Sequence, residues 1–497
     1  MHAWLQPAVV YDIACFAGFC VSDAITFLDA LPPTTRHDVF GILYARIQAT
    51  ANPSELLRVI AIESVVVDTT IELQLVQPTT PWPVTVAVDW IPRWAGSAVL
   101  EFWPCTVTSL QISLPSSLAK TEKLLAGIAE CINVHSVHVV HSKLTQDQLD
   151  AIMATATSSW WFLQSFTLTT IKKRTRTLNS SGSVCMWLAS SPVQSLTFDK
   201  IDFERPAARA LAGVLSHSTT LKSLVLYDKP TSWSGHSQLA TALSDATAPP
   251  LPPQLTSLAL HLASWSTAEV AAWGAKVAAS QLSTLKLDLN VPRDVTALVC
   301  NALQLPTLAN LILRCGVLKV LPGIKVSSLR SLHLVGCSLS GDALATVVEI
   351  FKTSEVLEDV QFKYTSIPPP CVAAIAAALP AWTSRRGAQL TIAGDLQSDQ
   401  ALEFVRALPC VRNSSRFSLR LRETNLAKRE RKHLISAPSQ CRDVLLEMDA
   451  ADGMSDAADT DVAAYARHVG VLMVDATTFY APPTQPVSKN RQCDDPM

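Results

Sequence analysis

Three histidines recur at intervals of three residues, His135, His138 and His141, and they form the only histidine cluster in the sequence. A structural or catalytic metal would need several imidazole or thiolate donors converging on one point. In a strand reading His138 faces the open side of a sheet, His135 takes a different position, and His141 falls in the following loop. Three surface histidines are therefore expected, with no metal ion. The other routes to chemistry are also closed. The sequence has no phosphate-binding GxxxxGK[ST] loop, GxSxG elbow, HExxH pair or paired-glycine nucleotide fingerprint, and its 16 glycines leave little backbone for a phosphate cradle. A recurring serine (Ser109, Ser136, Ser165, Ser195, Ser223, Ser257, Ser331) has no histidine base beside each copy. The expectation is a chain without catalytic activity and without a cofactor. The basic runs at 172–176 and 428–433 lack interleaved aromatic residues for stacking bases, so they are expected to be solvated and nucleic acid is not an expected partner.

Composition agrees with a folded chain. Of the 497 residues 48% are hydrophobic and 16% charged, enough to build a continuous core, and the net charge of −2 gives no global pull toward polyanions. Twelve cysteines are scattered without a CxxC pair. Their apolar neighbours, as at Cys131, Cys300 and Cys371, point to reduced core thiols and a cytoplasmic or nuclear setting. The apolar stretch 8–28 carries Asp12 and Asp23 and has no basic start, which argues against a signal peptide and against a membrane span.

The elements that position these residues come from a six-residue phrase with apolar residues at positions one, four and six. Val107/Leu110/Ile112 is the first copy. It returns as Val134/Val137/Val139, Leu163/Phe166/Leu168, Val193/Leu196/Phe198, Leu221/Leu224/Leu226 and Leu255/Leu258/Leu260. Leu282/Leu285/Leu287, Leu308/Leu311/Leu313, Leu329/Leu332/Leu334 and Leu357/Val360/Phe362 follow. Weaker copies start at Gly387, Ser414 and Cys441, and a last good one is Val469/Leu472/Val474. The mean spacing is about 28 residues. At this composition one such triplet arises by chance about one time in nine, so a single copy means little and ten in succession mean a repeat. Position three is serine in seven of those ten copies. Each phrase reads as a short strand. The stretches between them (117–131, 145–156, 206–216, 267–279 and 341–351) carry helical spacing, as in Leu344, Val347, Val348 and Phe351. A strand that becomes a helix and returns within so few residues stacks beside its predecessor in a parallel sheet, with the helices on the other side.

Leu329, Leu332, Leu334, Cys337 and Leu339 together match the signature of the leucine-rich repeat, cysteine at the ninth position included, and the period resembles the ribonuclease-inhibitor class of that family. The resemblance covers residues 107–480. It implies an α/β horseshoe solenoid with a concave parallel sheet and convex helices. Most copies lack the asparagine or cysteine at position nine. Asn290 supplies it, whereas Pro115, Ile171 and Lys229 stand in its place elsewhere, which leaves loop carbonyls to be satisfied by other means.

Three units depart from the pattern. Pro249, Pro250, Pro252 and Pro253 forbid a helix and imply an exposed loop. The short unit after Leu308 leaves room for an extended segment only. Asp449, Asp452, Asp456, Asp459 and Asp461 mark an acidic loop. Residues 481–497, with Pro482, Pro483 and Pro486, read as a disordered tail. Residues 51–106 read as a transition with a degenerate repeat, including a strand at Val84, Val86 and Val88. Residues 1–50 carry Leu5 and Pro7 before three short helical stretches, with Ser22 as an N-cap and Pro32-Pro33 as a stop. This is similar to an F-box, the module that docks onto the adaptor of a cullin ubiquitin ligase; a plain helical cap on the first repeat is the alternative.

The fold resemblance implies a protein ligand on the open sheet face. Position three would be a track of small residues and position seven a varied, charged one. Tyr227, His261, Asp288, Arg314, Lys363 and Arg420, with Tyr364 beside them, are the candidate contacts, aromatic and arginine members foremost. With residues 1–50 on an adaptor, the chain would be the substrate-recognition subunit of a ubiquitin ligase. The alternative is a scaffold or inhibitor without that link.

Overall fold

The structure, a computed structural model, describes residues 65–66, 84–88 and 107–481, except 172–175, 228–236, 263–264, 322–327, 366, 384–387, 395, 412–415, 423–425, 427, 442, 449–463, 470 and 476–477. The F-box-like segment 1–50, the acidic stretch and the tail after Ala481 lie outside these residues. Two compact units, Met1–Thr231 and Ser232–Met497, make up the chain.

In the first unit every strand of the main sheet runs parallel to its neighbours. Strands β1 (Val65–Val66), β2 (Val84–Val88), β3 (Val107–Ser113), β4 (Ser136–His141) and β5 (Ser165–Thr170) pair in that order. Then β6 (Arg176–Leu178) and β8 (Ile201–Phe203) form a small separate ladder, while β7 (Ser195–Asp199) joins β5 and β9 (Ser223–Tyr227) joins β7. The valine alternation at 84–88 thus forms a strand in the ladder ahead of Val107. Between the strands run α1 (Leu118–Ile128), α2 (Gln146–Ser159), α3 (Gly182–Ser190) and α4 (Arg205–His217).

The second unit repeats the scheme. Its elements are α5 (Gln238–Ser244), β10 (Ser257–Leu262), α6 (Thr267–Ala278), β11 (Thr284–Asp294), α7 (Thr296–Leu303), β12 (Asn310–Leu318), β13 (Ser331–Val335), β14 (Ser338–Leu339), α8 (Gly341–Thr353), β15 (Asp359–Lys363), α9 (Pro369–Thr383), β16 (Ala388–Ala393), α10 (Ser398–Ala407), β17 (Phe417–Arg422), α11 (Lys428–Ser436), β18 (Val444–Met448), β19 (Leu472–Asp475) and β20 (Thr478–Ala481). Parallel pairing runs β10-β11-β12-β13-β15-β16-β17-β18, with β14 on β12. The helices α5, α6 and α7 pack in chain order, as do α8, α9, α10 and α11.

The phrase explains the core. Positions four and six are buried in all ten full copies, and position one in nine of them; side chains such as Leu258, Leu285, Leu311 and Val360 have no exposed surface. Positions three, five and seven stay half-exposed in β7, β9, β13 and β15. Four of the described helices start on serine or threonine caps: Thr145 and Ser266 form reciprocal boxes with Gln148 and Glu269, and Ser237 and Ser340 accept first-turn N–H groups.

Two backbone devices recur with the phrase. The carbonyl at position two accepts two N–H groups of the next unit: His135 O from Gln164 and Ser165, Thr256 O from Ser283 and Thr284, Arg330 O from Glu358 and Asp359. The carbonyl at position one takes a side-chain donor from the next unit. Thr220 donates to Val193 O at 2.8 Å, Thr307 to Leu282 O at 2.9 Å, Ser328 to Leu308 O at 2.9 Å, and Trp382 Nε1 to Leu357 O at 2.7 Å. The loop carbonyls that position nine would serve find different donors in each turn. Cys337 Sγ reaches Leu313 O at 3.3 Å and Thr365 Oγ1 reaches Leu334 O at 3.0 Å. Pro115 O accepts from Gln148 Nε2 at 2.8 Å and His141 Nε2 at 3.3 Å. Asn290, where the ninth-position residue is present, is exposed on the long strand β11 instead.

Several expectations need correction. The weak copies of the phrase at Ser414 and Cys441 are two residues out of step. Pairing puts Ser418 opposite Gln389 and Leu445 opposite Ser418, so the phrases begin at Arg416 and Asp443. The burial of Leu419, Leu421, Leu446 and Met448 drives that choice. The last copy does not extend the parallel ladder. The β20 strand lies between β18 and β19, antiparallel to both, and Leu472 is 58% exposed. The proline loop is non-helical as expected but is not wholly exposed: Leu251 and Pro252 are buried, and Lys276, itself buried, donates to Pro249 O at 2.8 Å and to Ala248 O. After β12 the described residues 319–321 are irregular, in keeping with the short unit.

Candidate interaction surface

Strand alternation sends positions three, five and seven to the face opposite the helices. In the second unit, position seven forms one row in register: His261 beside Asp288, Asp288 beside Arg314, then Val335, Lys363, Ala393 and Arg422. The fold therefore brings together three of the sequence-selected residues. His261 Nδ1 lies 2.8 Å from Asp288 Oδ2, and an Arg314 guanidinium nitrogen 3.6 Å from the same oxygen. Burial pushes the Asp288 carboxyl up, but the His261 contact and the charges of His261, Arg314 and Lys286 outweigh it and hold the group below the usual carboxylate range. Arg314 still has 47% of its side chain exposed.

Arg420 belongs to position five, a consequence of the corrected register, and its Nε donates to Glu447 Oε1 at 2.8 Å. Arg422 takes the seventh position and reaches Glu447 Oε2 at 3.4 Å. Sequence reasoning missed Arg422 because the weak apolar pattern gave the wrong phase. Lys363 is half-exposed, and Tyr364, one residue on, is 58% exposed with φ of 50°, a left-handed conformation that turns the chain out of the strand. Its N–H donates to Ala393 O at 2.7 Å. Tyr227 lies in the first unit, paired with Asp199.

A serine, a histidine and an aspartate also meet, which the sequence reading did not anticipate. His333 Nε2 lies 2.6 Å from Asp359 Oδ2 and 2.9 Å from Ser331 Oγ, and Gln361 Nε2 donates to Asp359 Oδ2 at 3.1 Å. A nucleophile relay uses both imidazole nitrogens, one toward the acid and one toward the hydroxyl. Here one nitrogen serves both, so an N–H held by Asp359 cannot accept the serine proton. The group is a clamp across β13 and β15.

The histidine cluster of the first unit does not converge. His135 is exposed and stacks on Phe162 at 6.0 Å, and His138 Nε2 meets Thr169 Oγ1 at 3.1 Å on the open face. His141 is buried, contrary to the surface role expected: it takes the Lys143 N–H on Nδ1 and donates from Nε2 to Pro115 O. Burial lowers the pKa of His138, against a raising effect from Asp199, and lowers that of His141, against the Pro115 hydrogen bond. No group of three or more metal-ligating side chains is assembled among the described residues. Basic residues are partly absorbed by the fold: Arg176 Nε donates to Leu144 O, and the buried Arg431 to Leu426 O. The described cysteines are all free thiols, with Cys131, Cys300, Cys337 and Cys441 buried and Cys371 partly exposed. No described helix is long and apolar enough to cross a membrane.

No protein-family profile and no curated protein matches the chain. Among solved structures, the leucine-rich repeat-containing protein LegL7 from Legionella pneumophila resembles it over 77% of this chain and 98% of that one, with 14% identity and a TM-score of 0.31. That score is too low to carry the fold, which rests on the register, burial and hydrogen-bond repeats above.

Proposed function

We propose that this chain is a non-catalytic repeat protein of the leucine-rich-repeat kind that binds another protein on the helix-free face of its sheet. One observation carries the reading. In the second unit positions four and six of every phrase on the parallel ladder are apolar and buried, whereas the opposite side presents Asp288, Arg314, Lys363, Arg420 and Arg422 partly solvated in fixed register, with the buried His261 beside Asp288. A side-chain array held by a sheet, varied in charge and rich in arginine, has the composition of a recognition surface. Affinity purification of the full chain tests this. Val335→Arg and Gln361→Arg, both on the open face, remove the partners recovered with the natural chain, while Lys352→Glu on α8 keeps them. Partners that survive both open-face changes would defeat the reading.

The narrower reading, a substrate-recognition subunit of a ubiquitin ligase, draws on Leu5, Pro7 and the helical spacing of residues 1–50. It predicts that deletion of those residues releases a cullin adaptor while leaving the open-face partner bound. A scaffold or inhibitor loses nothing on that deletion.

A further inference from the structure

The cations of the second unit fall on a line with a fixed step. Arg314, Lys363 and Arg422 occupy position seven on alternate strands, with Val335 and Ala393 between them. Strands step by about 4.8 Å, so these cations recur about every 10 Å across the sheet. Lys286 and Arg420 stand on the adjoining fifth-position row. The carboxylates at positions three, five and seven of these strands are already engaged: Asp288 by His261 and Arg314, Asp359 by His333 and Gln361, and Glu447 by Arg420 and Arg422. Five cations thus face three acids, all of them held. Lys363 has no ion pair among the described residues, and Arg314 and Arg422 keep 47% and 53% of their side chains exposed. A guanidinium with one carboxylate on one edge retains donors for another.

A second feature adjoins this row. Past Lys363 and Ala393 opens a cleft of about 690 Å³, lined by Tyr364, Ile367, Pro368, Val372, Gly394 and Leu396, with Asp399 on its wall. Gly394 has φ of 118°, so a side chain at this point would be strained, and a Cβ there would rest against the Tyr364 backbone at 3.4 Å.

We propose that this row and cleft bind an extended acidic segment of the partner protein, laid across the strands. Its carboxylates repeat every third residue and a bulky apolar side chain next to them enters the cleft. The step selects that spacing. A polyproline-type segment advances about 3.1 Å per residue and brings every third side chain to one side about 9.3 Å apart. A β-strand brings every second one at roughly 6.7 Å and drifts out of phase with the row. The proposal rests on the binding reading above and narrows the class of partner.

Fluorescence anisotropy with the full chain and two labelled synthetic peptides tests it. Both peptides hold one tryptophan, three glutamates and the same prolines; in one the glutamates are three apart, in the other contiguous. The spaced peptide binds at least about ten-fold more tightly at low salt, with the preference fading as salt screens it. Lys363→Glu and Arg422→Glu each weaken it about ten-fold, Tyr364→Ala weakens it a few-fold, and Arg209→Glu on α4, with the same change of net charge, leaves it unaltered. Equal binding of the two peptides, or equal damage from Arg209→Glu and Lys363→Glu, overturns the proposal. If the native partner is still lost on Val335→Arg while the peptides bind indifferently, the acidic segment is wrong and the binding face stands. If the partner survives Val335→Arg, the face itself is wrong.

Discussion

Replacing Trp382 with phenylalanine removes one donor from the ladder that joins each unit to the next. Trp382 is 2% exposed; its indole N–H donates to Leu357 O at 2.7 Å, and its ring stacks on Phe351 at 4.9 Å and meets Phe417 edge-on at 6.3 Å. It therefore ties α8, α9 and β17 into one core. Phenylalanine keeps an aromatic ring there but leaves a buried carbonyl without a partner, at a cost of about 1–3 kcal/mol. The lost pyrrole portion leaves a void of roughly 40 Å³, worth about 1 kcal/mol at the usual cavity coefficient. The expected destabilisation is about 3 kcal/mol. Thr307→Val removes a donor at the equivalent carbonyl, Leu282 O, at nearly constant volume, and should cost about 1–2 kcal/mol. Urea unfolding followed by far-ultraviolet circular dichroism gives both values, and hydrogen exchange over residues 357–383 localises the first. A loss below about 1 kcal/mol for Trp382→Phe would mean that the carbonyl is satisfied elsewhere, and the ladder argument fails.

Other outcomes follow from the same geometry. His141 is held neutral, its pKa lowered by burial, so the unfolded chain binds its proton more readily. Stability from this site is full above about pH 6.5 and falls as pH drops through the depressed folded value; His141→Gln, titrated by urea midpoint from pH 7.5 to 5, should lose that acid sensitivity. Burial pushes the Cys337 thiol up to about 11 and the Cys441 thiol up to about 12. Both thiols titrate near 9 when unfolded, so their contribution is intact below pH 9 and is lost as pH rises toward those values, by about 3 and 4 kcal/mol at most. Slow reaction of both with a thiol reagent at pH 8 in the folded chain, and fast reaction in urea, is the accompanying check; fast labelling of the folded chain contradicts their burial.

What could be read from the amino acids alone depended on how strongly burial constrained them. Leu258, Leu285 and Leu311 announce their strands because any other register would expose leucine and bury a polar residue. The same logic misphased β17 and β18: in residues 414–422 and 441–448 more than one offset supplies enough apolar residues, and only the neighbouring strand selects between them. Polar partnerships were less legible. The ninth-position rule predicted one donor type, but the loop carbonyls take a thiol, a hydroxyl, an amide and an imidazole in different turns, because any donor of suitable length serves. The Ser331–His333–Asp359 clamp escaped notice because Asp359 arrives from the next unit, 26 residues beyond His333. Of the candidate contacts, His261, Asp288 and Arg314 keep the seventh position given to them, since strong phrases fix the register there, and the pairing sets them side by side. Arg420 kept the open face but moved to another row, and Arg422 replaced it.

Lysine footprinting of the native complex separates binding by the sheet from binding by the helices. Lys286 and Lys363 stand on the open face, whereas Lys123 on α1 and Lys352 on α8 are exposed on the helical layer. Acylation of the free chain and of the complex, compared by mass spectrometry, should show Lys286 and Lys363 protected by the partner while Lys123 and Lys352 label equally in both. Protection confined to Lys123 and Lys352, with Lys286 and Lys363 unchanged, would place the partner on the helices and contradict binding by the sheet.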